Sequence, residues 1–427
     1  MAEAVTSPNA AASSATVGFT YENDVLRCDG LPIDDIANEV TTPCYLYSAG
    51  TIGLRYRLFA AALADTPHAL HYALKANSTL ALVELLRSLG VRADANSVGE
   101  IEVALRAGFA PRDIVFTGVG KSRHELARAV GLDVQAINAE SAGELARIDE
   151  LAQAQGRSAR VALRVNPDVD PETHPHISTG QRHNKFGVPI ADVPALVRTM
   201  HARAGLHVVG LHVHLGSQMT SLEPISRAVA AIVPIARALK ADNVPLDHLD
   251  LGGGLGISYD EAPVPDFQAY AAILEAAARD TGLSLVLEPG RALIGPAGAL
   301  VARVVDVKPH HAGHFVVLDA GMTELLRPAL YGAFHRIVPV ERRDSPVATC
   351  DIVGPVCESS DILGLARRIP LPQVDDLVAI LDAGAYGSAM ASNYNRRPFP
   401  VEVLVQDGAW RIIRRRQSVD DMLASEI

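Results

Sequence analysis

The chain has 427 residues, of which 48% are apolar and 20% charged, a balance normal for a soluble globular protein of two or three domains with a large core. A formal net charge of −11 argues against nucleic acid or an anionic membrane surface as the main partner. Four cysteines, Cys28, Cys44, Cys350 and Cys357, form no CxxC pair, which excludes a disulfide scaffold and points to a reducing compartment.

Residues 1–18, "MAEAVTSPNAAASSATVG", are small and polar, with no basic region and no apolar region. They read as a disordered tail and not a signal peptide. No apolar run approaches the ~20 residues of a membrane-spanning helix, so a cytoplasmic protein is expected. Residues 19–47 include the hairpin-like "YENDVLRCDGLPIDDI". From 48 to 290 strand-like runs alternate with Ala/Leu-rich stretches of helical period. The runs are "ALHYAL", "VRADA", "DIVFTG", "VQAIN", "VALRVN", "VVGLHVHLG", "LDHLDLG" and "LSLVLEPG". Strict alternation calls for a parallel sheet, and eight repeats predict closure into a TIM-type (β/α)8 barrel. An open doubly wound sheet is the alternative. From 291 to 427 the runs "ALVARVVDVK", "HFVVLDAG", "RIVPVER", "VATCDIVG", "DLVAILDAG", "PVEVLVQDG" and "AWRIIRRR" are separated by Gly, Pro and Asp turns. They predict an all-β domain of sandwich or Greek-key kind that also takes in the strands of 19–47.

In such a barrel the chemistry belongs at the C-terminal ends of the strands, and the costly residues fall there. The first strand ends in Lys75, with alternation placing Ala73 and Lys75 on one side and Tyr72 and Leu74 on the other, and the fifth carries Arg164. The sixth ends in His214, Gly216, Ser217 and Gln218. The seventh ends in Gly252, Gly253, Gly254 and Gly256, and the eighth in Glu288, Gly290 and Arg291. Most lysines are solvated, but this clustering at one end argues against that reading for Lys75. "GGGLG" does not complete GxGxxG, because Ile257 stands at the third position. The Rossmann reading is therefore poor, while backbone amides approaching a phosphate remain a use for the turn. His212 and His214 share a strand face, yet the sequence places no third ligand beside them, so no metal is expected. The histidines of "HPHIS" and "KPHHAGH" read as loop residues.

Pyridoxal phosphate gives these residues a common task. A partly desolvated Lys75 can form a Schiff base with an aldehyde. Glu288 can keep a pyridine nitrogen protonated so that the ring accepts electrons, and His214 can stack on the ring. Ser217, the glycine run and the Gly290–Arg291 amides can receive the phosphate. The β domain offers a proton donor in Cys357 of "GPVCESSDIL", which also carries Glu358 and Asp361. A carboxylate grip is offered by Arg327 and Tyr331, four residues apart, and Tyr386 lies in the glycine-flanked turn "GAYGSAM". Taken singly these have ordinary readings: a buried cysteine acting as a small hydrophobe, an Arg–Tyr pair on the surface.

Eight motifs, "YALKAN", "RHNKFG", "HVHLGSQ", "GGGLG", "EPGR", "LRPALYGA", "CESSD" and "GAYGSAMASNYN", stand in the order of a known family. On them the chain resembles the alanine-racemase-fold pyridoxal-phosphate decarboxylases, and among these the diaminopimelate decarboxylase branch. The resemblance implies a pyridoxal-phosphate barrel, a C-terminal β domain, and a homodimer whose active sites are shared between subunits. It implies Lys75 as the Schiff-base lysine, Glu288 at the pyridine nitrogen and His214 against the ring. Ser217 with the glycine loop would form the phosphate cup. Arg291, Arg327 and Tyr331 would hold substrate carboxylate. Cys357, the proton donor, and Glu358, gripping the distal amine, would come from the partner subunit, and Tyr386 would touch cofactor and substrate. A cation-and-anion grip suits meso-diaminopimelate, whose far end is a second zwitterionic carbon, better than ornithine, arginine or lysine, whose far ends are cations only. Decarboxylation at its D centre, giving L-lysine and CO2, is the activity implied. The other readings are a decarboxylase of another carboxylated amine such as a carboxynorspermidine, a racemase on the same fold, and a non-catalytic pyridoxal-phosphate-binding homologue. The His-rich segment 172–185 reads as a loop of unassigned role, with an active-site lid as one possibility.

Overall fold

The computed structural model describes residues 18–171, 174, 179–181 and 184–427. The tail and much of the segment 172–185 lie outside the described residues. The chain divides into two compact units. One comprises Gly53–Ile257 and Phe267–Leu293; the other takes in residues up to Ile52, Ser258–Asp266 and Ile294–Ile427.

The first unit is a closed barrel. Its eight strands are His68–Ala73, Arg92–Ala95, Ile114–Phe116, Ala136–Ala139, Ala159–Asn166, Leu206–His212, His248–Asp250 and Ser284–Leu287. Each pairs in parallel with its neighbours, and the eighth returns to the first through Leu285↔His68 and Leu287↔Leu70. The strands are almost wholly buried, as expected where a parallel sheet is covered on its outer face. Three consecutive helices, Val98–Arg106, Arg123–Leu132 and Ala142–Ala154, open with Ser-x-x-Glu. In each the serine hydroxyl accepts the N–H three residues on. The glutamates reach back to backbone N–H groups of Asn96, Ser122 and Glu140, so donors orphaned at the helix starts are satisfied. Two of these contacts secure the loops that follow the second and fourth strands, at the catalytic end of the barrel.

The second unit is a mixed β structure. Its main path runs Ile362–Pro370, Val347–Val353, Gly313–Leu318, Gly298–His310, Cys44–Ser48, Val401–Gln406, Ala409–Arg414. Ile337–Pro339 and Leu377–Ile380 pair beside Gly298–His310. The seven runs expected after residue 291 are all strands. Two further strands escaped sequence reading. Cys44–Ser48 is buried at every position and so lacks the period-2 alternation of a half-exposed strand. Ile362–Pro370 carries Gly364, Arg367 and Arg368, which mask its apolar face. Cys44–Ser48 lies between Gly298–Val301, antiparallel, and Val401–Val405, parallel, so an early strand completes the late sheet. Phe19–Glu22, Val25–Cys28 and Leu31–Pro32 form a small antiparallel sheet. It is tied to the same unit by a bridge from Val25 to Glu341 and by the shared core of Phe19, Leu26, Ile33, Leu46, Val301 and Val403.

Candidate active site

The first barrel strand stops at Ala73, and Lys75 sits in a 3-10 turn, Leu74–Ala76, not on the strand as the alternation suggested. The Ala73 N–H donates to Pro289 O at 3.2 Å, joining the mouth ends of strands one and eight. The Lys75 side chain is one-third exposed, with Nζ 3.8 Å from Asp94 Oδ2. It donates to Asn96 Oδ1 at 3.5 Å. An amine with a carboxylate counter-ion and partial access to solvent is held in place yet remains reachable.

Glu288, one residue past the eighth strand, is buried. Thr117 Oγ1 donates to its Oε1 at 3.2 Å, Asn138 Nδ2 lies at 3.5 Å, and His212 Nε2 lies at 3.5 Å. Burial pushes its carboxyl pKa up, but His212 and the Lys75 ammonium outweigh that and bring it well below the usual carboxylate range. Glu288 is therefore an anion inside the barrel. Arg291 donates from Nη2 and Nε to Ser217 Oγ at 3.0 and 3.3 Å. The serine oxygen accepts both bonds, which leaves its hydroxyl proton to meet an anion beside the guanidinium charge.

His214 is half-buried and neutral: desolvation and the Lys75 charge hold its pKa well below the ordinary value. The Gly253 N–H donates to His214 Nδ1 at 3.2 Å, so Nδ1 carries the lone pair and Nε2 the proton. Gly252 N–H is committed to Asp250 Oδ1 at 2.9 Å. Of Gly252, Gly253 and Gly254, Gly254 is the one whose N–H has no hydrogen-bond partner among the described residues. Arg164 is buried and donates to Glu140 Oε1 at 2.7 Å, with its guanidinium 4.5 Å from the Phe186 ring centroid. Asp94 and Asp250 are buried beside Lys75 and Glu288 respectively. Burial and the Glu288 charge raise Asp94 to about 7 and Asp250 well above its ordinary value. Neither has a local sequence signal, since an acid at a strand end reads as a turn residue.

The second unit holds the remaining candidates. Arg327 opens the short helix Arg327–Tyr331 and is buried, not on the surface. Its guanidinium lies 4.6 Å from the Tyr259 ring centroid, and Nη1 is 2.6 Å from His335 Nε2. Tyr331 is half-buried. Cys357 is exposed, whereas Cys28, Cys44 and Cys350 are buried. Its backbone N–H donates to Asn395 Oδ1 at 3.2 Å. Glu358 is exposed too. It accepts from Ser360 Oγ at 2.9 Å and is hydrogen-bonded with Tyr394. Asp361 is a turn organiser: its carboxylate receives the N–H groups of Met322 and Val356 at 2.6 and 2.7 Å. Tyr386 adopts φ +56°, a left-handed conformation unusual for a tyrosine. Tyr259, His335, Tyr394 and Asn395 were not legible in the sequence as site neighbours, because only tertiary packing brings them beside Arg327 and Cys357.

His212 does have the acidic neighbours that the sequence could not place: one ligand-type atom each of His212, Asp250 and Glu288 lies within 4.8 Å of the others. Among the described residues, Glu288 Oε2 is buried without a hydrogen-bond partner. A buried carboxylate oxygen of that kind calls for a donor, which a protonated pyridine nitrogen supplies. With an amine, a neutral imidazole and an Arg–Ser donor pair at the same mouth, the residues fit pyridoxal phosphate.

A closed barrel with this mouth defines a pyridoxal-phosphate enzyme. The family model described as pyridoxal-dependent decarboxylase, pyridoxal binding domain, matches residues 49–295. A relative from Vibrio cholerae named diaminopimelate decarboxylase is 42% identical over 410 residues, covering 96% of this chain and 98% of its own. The diaminopimelate decarboxylase of Helicobacter pylori, solved with L-lysine, superposes with a TM-score of 0.89 at 39% identity, over 92% of this chain and 98% of that one. That of M. jannaschii gives 0.92 at 33%, over 96% and 98%. The chain belongs to the diaminopimelate decarboxylase family of pyridoxal-dependent decarboxylases.

Proposed function

We propose that this chain is a cytoplasmic homodimer that uses pyridoxal phosphate to remove one carboxyl group of meso-diaminopimelate, at its D centre, leaving L-lysine and CO2. The cofactor, when bound, supplies an aldehyde that condenses with amines and a ring that takes up the electron pair left by CO2. Lys75 carries it between turnovers, and Asp94 sets the position and charge of that amine. Glu288 accepts the pyridine N–H and holds that proton at the ring nitrogen. His214, neutral, lies against the ring without competing for charge. Gly254, Gly290, Ser217 and Arg291 take the phosphate, with Arg291 also within the substrate's reach. Arg327 and Tyr331 grip the carboxylate that survives into lysine. Glu358 takes the distal amine, Tyr386 lines cofactor and substrate, and Cys357 delivers a proton to the carbon that has lost its carboxyl group. A pocket with buried charge rejects a ligand that leaves the charge unpaired by about 10³-fold or more, which favours diaminopimelate over plain diamino acids.

The observation that carries this reading is the buried Glu288, its Oε2 without a hydrogen-bond partner among the described residues, at the same barrel mouth as Lys75 and His214. Borohydride reduction followed by peptide mass spectrometry is expected to find the cofactor on Lys75. Lysine formation from meso-diaminopimelate is expected in the native enzyme and lost in Lys75→Ala. A cofactor-loaded protein that releases neither lysine nor CO2 overturns the proposal.

A further inference from the structure

Asp250 ends the seventh barrel strand and is fully buried. Its Oδ1 accepts the Gly252 N–H at 2.9 Å, while Gly252 O accepts the Glu288 N–H at 2.7 Å. The two acids are thus locked to one glycine turn from opposite sides. Asp250 Oδ2 and Glu288 Oε2 are both buried and, among the described residues, neither receives a hydrogen bond. One oxygen of each carboxyl group lies within 4.8 Å of the other, and one His212 ring nitrogen lies within the same distance of both. Two carboxylates this close in a dry barrel core cannot both be ionised, and two orphaned acceptors cannot satisfy each other. One proton resolves both problems.

The donors decide where it sits. Glu288 already receives the Thr117 hydroxyl, with Asn138 Nδ2 and His212 Nε2 at 3.5 Å, and all three favour its anion. Asp250 receives a single backbone N–H. Resting on the reading of Glu288 as the partner of the ring nitrogen, we propose that Asp250 is a neutral carboxylic acid that donates its proton in a hydrogen bond to Glu288. It is a positioning residue: it occupies one lone pair of Glu288 Oε2 and aims the carboxylate at the cofactor.

The other charged or titratable groups facing Asp250 agree with this assignment. Asp94 and Glu288 add negative charge that disfavours its ionisation, and Tyr270, from the helix Phe267–Thr281, is itself held well above its ordinary value by burial and by the acids Asp250 and Glu288. His212 stands closer in role to Glu288, whose anion it supports. A divalent cation on His212, Asp250 and Glu288 would satisfy the same orphaned atoms, but it would take Glu288 from the ring nitrogen.

The test uses the purified holoenzyme. Asp250→Ala is expected to weaken cofactor retention and lower kcat by about tenfold or more. Asp250→Asn, which keeps an acceptor for Gly252 and a donor for Glu288, is expected to recover most of that loss. Infrared spectra in H2O and D2O at about pH 9, where Asp94 is ionised, are expected to show a protonated-carboxyl C=O band in the native protein that is missing in Asp250→Asn. Should Asp250→Ala fail to fold, the infrared comparison still decides. The proposal is overturned if that band survives in Asp250→Asn, if the asparagine variant is as impaired as the alanine one, or if metal analysis finds a stoichiometric divalent cation. Failure of the native protein to retain cofactor would count instead against the Glu288 reading, and the infrared band reports on Asp250 either way.

Discussion

Arg327 shows how a single buried charge is made usable. A guanidinium in the interior costs several kcal/mol unless its donors and its charge find partners. Here the Tyr259 ring at 4.6 Å supplies a cation–π contact. His335 Nδ1 lies 2.9 Å from Leu381 O; a carbonyl only accepts, so Nδ1 carries the proton. Nε2 then offers its lone pair to Arg327 Nη1. The imidazole is fixed in one tautomer by the backbone, and it fixes the arginine in turn. If Arg327 grips the carboxylate that is kept in the product, Arg327→Met should lower kcat/KM for diaminopimelate by about 10²-fold or more. Inhibition by L-lysine should weaken in parallel. Cadaverine, which has no carboxylate, should inhibit both proteins about equally. Steady-state kinetics with the two inhibitors checks this, and equal loss of lysine and cadaverine binding would remove Arg327 from that role.

At the scale of elements, the barrel mouth depends on turns that tolerate no side chain. A Cβ on Gly253 would stand 2.1 Å from Glu288 O, and one on Gly254, at φ +105°, 2.4 Å from Gly216 O. Both obstacles are backbone, so the strand ends would have to separate. Gly253→Ala is expected to cost about 1–3 kcal/mol, seen as a lower Tm, and to lose bound cofactor more severely than the stability change explains, because Glu288 moves with the turn. A variant with native cofactor absorbance would refute that coupling. The run "GGGLG" showed that backbone comes close here, but not that the Gly252 and Gly253 amides are already taken by Asp250 and His214. Regular alternation made the eight barrel strands legible, and a barrel sends all their C-terminal ends to one face, so the sequence alone groups Lys75, His214 and Glu288. Asp94, Asp250 and His335 could not, because their significance lies in neighbours from distant strands. Cys44–Ser48 was missed because it is buried at every position and, unlike the equally buried barrel strands, belongs to no repeating strand–helix alternation that would mark it.

For the whole molecule, the exposed Cys357 poses the question of what covers it. If Cys357 is the proton donor, it must work out of contact with bulk water, yet Cys357 and Glu358 lie on the surface of their unit. The same unit displays Leu330, Phe334 and Leu365 at 45%, 42% and 60% exposure. Phe334 and Leu365, with Ile337 and Ile369, line a groove of about 600 Å³. Exposed apolar surface of this kind favours association, and closed two-fold symmetry is its commonest outcome. If the thiol acts in the partner's site, Lys75 and Cys357 of one catalytic set belong to different copies. Lys75→Ala and Cys357→Ala are each expected to be severely impaired as pure proteins. Mixed in equal amounts and allowed to exchange subunits, half of the dimers would be hybrids, and each hybrid would contain one site with both residues intact. Activity should then rise to about one quarter of the native value, on the timescale of subunit exchange measured by native mass spectrometry. If hybrids form and the rate stays at the sum of the two separate variants, both residues serve within a single copy and the shared-site arrangement is wrong.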